Sequence, residues 1–157
     1  MVVDAETTSF HVALRMPKTV RVDRTTLNVI AEHNQVMTAE GRTGFGKFGA
    51  RLAKQKCSLI ESQIRDGVTC KLYVINLTDR GYTAVSARIV AIDAIPGFLR
   101  RSPFPSYYSR MADEPSMAFI LEGGFSADTI LDLSLSSTHG KLADVLSKTR
   151  TAMMLVN

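Results

Sequence analysis

Tryptophan is absent from this chain. Any flat binding platform therefore falls to phenylalanine or tyrosine, and an indole N–H donor is not on offer. Cysteine is scarce: Cys57 and Cys70 form neither a CxxC nor a metal-ligand spacing. They read as reduced thiols that pack as small apolar residues. Histidine is equally sparse, and His11, His33 and His139 lie far apart in sequence. A metal site needs three or more ligands to converge, and no local pair suggests one. No GxSxG nucleophile turn is present, and no lysine–serine or lysine–threonine pair completes a phosphate loop. A Ser/Cys–His–acid triad stays open, because its members meet only in the fold. No uncharged apolar run approaches the ~18 residues of a membrane span. The segment MVVDAETTSF lacks a basic region followed by an apolar stretch. A soluble cytoplasmic protein, with no membrane association and no cofactor, is the expectation.

What is present is ordinary for a globular domain: 45% apolar and 22% charged residues, a net charge of +4 and a pI near 9.3 over 157 residues. That length suits one domain with a real core, here residues 1–157 with 1–8 as a loose polar end. The basic excess is mild and compatible with a polyanionic partner.

Phe10, Val12, Leu14 and Met16 alternate with His11, Ala13 and Arg15, the period of a half-buried strand with His11 on its outer face. A second extended piece covers Thr19–Val22, and Asp23 is placed to cap a helix over Arg24–Gln35. A further helix is expected over Ala50–Asp66, with Gly67 in the position of a C-cap glycine. KLYVINL (Lys71–Leu77) and YTAVSARIVAID (Tyr82–Asp93) are rich in β-formers and flank Asp79-Arg80-Gly81, so they read as a hairpin. Residues 94–115 form a long proline-containing loop, and loops of that length inside compact domains are often functional. MAFIL (Met117–Leu121) reads as a buried strand broken by Gly123-Gly124. A short strand follows over Ile130–Leu135, then a helix around Gly140–Lys148 capped by Thr138, and a last strand over Thr151–Val156. The mixed order predicts an α+β fold around a curved, mostly antiparallel sheet or small β-barrel with flanking helices.

The run Gly44-Phe45-Gly46-Lys47-Phe48-Gly49 is the first site candidate. Glycines at that density allow a tight turn or close approach to a ligand. Formally it matches GxGxxG, but HNQVMTAEGRT upstream is not the buried strand that a dinucleotide site requires. Two readings remain. Either Phe45 and Phe48 plug a sheet edge, or one of them stacks on a flat ligand while Lys47 or the helix N-terminus near Gly49 holds a phosphate. Tyr107 and Tyr108, between Pro105 and Arg110, are the second candidate. Arg42, Arg100, Arg101 and Arg110 are candidates for nucleic-acid backbone contacts. Asn76, late in an apolar strand, is either a pocket hydrogen-bonder or the partner of a turn amide.

The glycine–aromatic loop, the KLYVINL strand, a strand ending in RIVAI, the PFPSYYSR loop and the MAFIL strand follow in an order that resembles PUA-like domains of the EVE and YTH type. The likeness is greatest to those fused to prokaryotic methylation-dependent restriction systems, and it covers roughly residues 36–125. The resemblance implies a small curved barrel and a pocket for a flipped, often modified base. Phe45, Lys47 and Phe48 would form one wall, Tyr107 and Tyr108 the other. Phe45 stands where such a cage commonly has tryptophan. The expected function is that of a non-catalytic reader of nucleic acid, with DNA ranked ahead of RNA. The alternatives are a sponge or sensor for a small nucleotide in prokaryotic or phage defence, and a module that docks on an effector or partner protein.

Overall fold

The computed structural model describes residues 9–79, 81–136, 139–146 and 153–157. Six strands form one sheet in the order β4-β7-β6-β5-β1-β8. These are β1 (His11–Arg15), β4 (Thr43–Lys47), β5 (Cys70–Thr78), β6 (Gly81–Asp93), β7 (Met117–Asp128) and β8 (Met153–Val156). All neighbours are antiparallel except β1 and β5. The fold is therefore α+β with a mostly antiparallel sheet, as expected. The sheet is not closed into a barrel: β4 and β8 are separate edges.

The period of two explains how the sheet is covered. Along β5, Cys70, Leu72 and Val74 face a core shared with α1 (Val29–Glu40) and α2 (Lys54–Arg65), while Tyr73 and Ile75 face the opposite side. There they pack under Ile130, Leu133, Leu142 and Leu146. β1 carries both faces, so Val12, Ala13 and Leu14 are all buried, and the expectation of a half-buried strand is corrected. Residues 130–135 are not a strand: only Ser134 and Leu135 make isolated bridges, to Lys141 and Val156. A one-turn helix, α4 (Leu142–Val145), occupies part of the expected Gly140–Lys148 helix, whose proposed cap Thr138 lies outside the described residues.

Two boundaries differ from the sequence expectation for local reasons. Asp23 does not cap a helix. Asp23 and Arg24 have φ of +50° and +66°, the two left-handed positions of a type I′ turn. They join β2 (Thr19–Val22) to β3 (Thr25–Asn28), and the helix starts at Val29, five residues later than the expected Arg24, capped by Asn28, whose Oδ1 accepts the Ala31 N–H at 2.9 Å. Gly123 and Gly124 do not end β7. Both have positive φ, +88° and +80°, within a continuous strand whose pairing with β6 shifts register nearby.

The largest correction concerns the glycine-rich run. Residues 43–47 are not a loop but edge strand β4, paired to β7 with Phe45 opposite Phe119. Gly44 and Gly46 face the 98–111 segment and Pro115: a Cβ at Gly44 would sit 2.1 Å from the Phe104 ring and one at Gly46 would sit 2.8 Å from Tyr108 and Pro115. The glycines exist so that this segment can lie on the strand. Its backbone and a side chain also occupy the strand's outer edge: Pro103 O accepts the Gly44 N–H at 2.8 Å, and Tyr108 Oη accepts the Gly46 N–H at 3.0 Å. An edge that would otherwise invite pairing with another chain is thereby covered.

Gly44→Ala is expected to destabilise the fold by about 1–3 kcal/mol through overpacking. Combining it with Phe104→Ala should cost less than the sum of the two single changes. Urea unfolding of the four proteins measures this, and a neutral Gly44→Ala would contradict the placement.

Candidate functional site

The two aromatic groups singled out in the sequence do meet, but they meet as core. Phe45 is 1% exposed, and its ring stacks on His33 of α1 at 4.3 Å between centroids. Tyr107 and Tyr108 sit in a 3₁₀ turn (Ser106–Arg110), are buried at 3% and 5% exposure, and stack on each other at 4.6 Å. Phe48, half-buried, lies parallel to Tyr108 at 6.1 Å. The space between the two proposed walls is thus occupied by the rings of the walls themselves.

One hydrogen-bonded chain holds this cluster. His33 Nδ1 lies 2.6 Å from Val29 O, and a carbonyl oxygen only accepts, so Nδ1 carries the proton. Nε2 is then the acceptor, and Tyr108 Oη donates to it at 2.8 Å. Tyr108 Oη in turn accepts from the Gly46 N–H. Every polar atom of the chain is paired, which a buried network requires. Burial drives the His33 pKa down to about 4, so the ring is neutral. Burial, then the neighbouring Tyr107, pushes the Tyr108 hydroxyl well above its usual range.

The remaining candidates are scattered. Lys47 Nζ donates to the Phe48 carbonyl, next door in the chain. Asn76 lies on β5, where its Nδ2 reaches Met16 O at 3.4 Å, a strand-end carbonyl rather than a turn amide. Arg101 is structural: Nη2 binds Asp93 Oδ1 at 3.0 Å and Ile95 O at 2.7 Å, while Nη1 binds Pro96 O at 3.1 Å, pinning the chain after β6. Arg110 Nε lies 3.6 Å from Asp23 Oδ2 in an exposed pair. Arg42 and Arg100 are exposed, and neither forms an ion pair among the described residues.

Sequence reasoning missed two adjoining clefts. The first, about 670 Å³, lies between the start of α2 and the end of β6, with Leu52, Ile92 and Met117 as apolar lining and Arg51, Lys54 and Glu61 among its polar groups. The second, about 850 Å³, is bounded by α3 (Phe98–Arg101) and residues 114–116, with Arg100 and Glu114. Arg51 and Ala94 line both, and Arg51 Nη2 donates to Ala94 O at 3.0 Å. Ile95, 68% exposed, lies at the first cleft. The available sequence signal was the start of α2: Lys54 and Lys56 stand in a first turn that has no acidic residue, and its N-cap, Ala53, makes no side-chain cap. That is the reverse of what a helix N-terminus favours.

The one thiol lining the clefts is not activated. Cys57, in the first cleft, has its thiol pKa raised by burial and then by Glu61. On the other sheet face, Ser86 donates to Asp128 at 2.5 Å. That bond, with further help from Thr129 and Lys71, holds the Asp128 carboxyl below its usual range, which makes it a weak base. His11 Nδ1 nearby is occupied by the Lys71 N–H at 3.1 Å. No family model, curated protein or solved structure matches the chain.

His33 gives a pH dependence with a definite sign. The unfolded imidazole, at the ordinary 6.5, binds a proton before the folded one at about 4 does. Its contribution to stability is full above pH 6.5 and is lost as pH falls toward 4, about 3 kcal/mol in all. His33→Gln should remove that part of the slope in urea unfolding measured across this range. Tyr108→Phe should cost about 1–3 kcal/mol, because it strands both the Gly46 N–H and His33 Nε2; an unchanged midpoint would contradict the chain of bonds.

Proposed function

We propose that the protein is a non-catalytic binding module for nucleic acid and that the paired clefts, rather than the glycine-rich run, receive the ligand. The observation that carries this is the joining of two clefts at Arg51, with Lys54 and Arg100 on their separate rims. Each cleft combines an apolar floor with a few polar groups, the usual make-up of a ligand site. Phosphates would meet the three cations, and bases would lie on the apolar linings. The positively charged, uncapped start of α2 is unfavourable in isolation and would be relieved by an anion. The net charge of +4 and the motif order that resembles PUA-like domains favour the same ligand class, and DNA is placed ahead of RNA on that resemblance alone.

A second reading is a sponge or sensor for a free nucleotide, since either cleft alone is large enough for one. Exposed Ile95 supports a third, docking on a partner protein.

Titration of single-stranded oligonucleotides at several salt concentrations tests the first reading. With three cations engaged, log K should fall against log salt with a slope of about −2. Lys54→Glu together with Arg100→Glu should abolish binding without lowering the unfolding midpoint, because both side chains are exposed and a carboxylate suits the start of α2. Absence of binding at low salt would overturn the reading, and stabilisation by mononucleotides alone would favour the sensor.

A further inference from the structure

The two clefts repeat one arrangement. In the first, Lys54 and Glu61 stand two turns apart on α2, about 10 Å along its axis, beside the Leu52–Met117 floor. In the second, Arg100 and Glu114 stand beside Phe98 and Pro115. Each unit is therefore a cation, an apolar shelf and a carboxylate, and Arg51 stands between the two. Lys54, Glu61, Arg100 and Glu114 are exposed and form no ion pair among the described residues. The one further carboxylate in the first cleft, Asp93, is already taken by Arg101.

Resting on the nucleic-acid reading, we infer that the ligand is a single strand spanning at least two nucleotides, one base per cleft, with a preference for bases that carry an exocyclic amino group. Volumes of 670 and 850 Å³ each suit one drug-sized unit, the range for such sites being roughly 300–1,000 Å³. Two such units side by side call for a linked pair, and the linking phosphate falls to Arg51. An ionised carboxylate only accepts hydrogen bonds. It pairs with the amino group of cytosine or adenine, whereas thymine presents a carbonyl oxygen where cytosine presents its amino group. A free mononucleotide would use half of the arrangement.

The test is fluorescence anisotropy competition with a phosphorylated mononucleotide, the matching dinucleotide, oligo(dC) and oligo(dT), and a lysine-rich peptide. The expected result is roughly tenfold or greater tightening from mononucleotide to dinucleotide and roughly tenfold preference for oligo(dC) over oligo(dT). Glu61→Gln with Glu114→Gln should narrow that preference, since an amide also donates, and Arg100→Ala should weaken the dinucleotide more than the mononucleotide. Equal affinity for mononucleotide and dinucleotide, or for oligo(dC) and oligo(dT), overturns this inference and leaves the nucleic-acid reading standing. Failure of every oligonucleotide overturns both, and binding of the basic peptide in their place assigns the carboxylates to a protein partner.

Discussion

The hydroxyl of Tyr108 is the constraint on which this side of the molecule depends. It accepts from the backbone of β4 and donates to His33 of α1, while its ring stacks on Tyr107 and lies parallel to Phe48. Three pieces of chain that are distant in sequence are thereby held at one oxygen atom. The same contact seals the outer edge of β4, requires glycine at position 46 and fixes the path of the 98–111 segment. That path in turn places Arg100 at the second cleft. A phenylalanine in place of Tyr108 would fill similar volume but would leave two buried polar groups unpaired, which is why the residue type matters here and not only its size.

The position of the glycines was legible in the sequence, but their purpose was not. A Gly-x-Gly stretch before a helix is equally compatible with a ligand loop and with a strand whose face is covered by something else. What decides between them is Phe104, nearly sixty residues away, and no local pattern announces it. Of the two readings weighed for Phe45, plugging a sheet edge is the one its burial against His33 agrees with. The β5–β6 hairpin was readable because both strands are rich in β-formers and flank turn residues. The Asp23-Arg24 turn was not, because it lacks the glycine or asparagine that usually marks a type I′ geometry. His33 drew no attention as a lone histidine, although its two ring nitrogens join α1 to the tyrosine loop.

The clefts were hidden for a different reason. Their walls come from the start of α2, the end of β6 and residues 96–116, and a cavity between elements has no sequence period. Only the charge pattern at Lys54 and Lys56 departed from local rules. Arginines taken together as one basic set in the sequence divide in the fold into Arg101, spent on holding the chain after Asp93, and Arg100, one residue earlier, which is left exposed at a cleft. Adjacent residues of identical chemistry thus have separate roles, set by which of them meets the Asp93 carboxylate.

Amide hydrogen exchange at Gly44 and Gly46 tests most directly whether the glycine-rich run is a sealed edge rather than an open ligand loop. The account predicts that both amides exchange as slowly as those in the middle of β5 and β6, since each donates to an acceptor on the covering segment. Exchange at the rate of an exposed loop would contradict it.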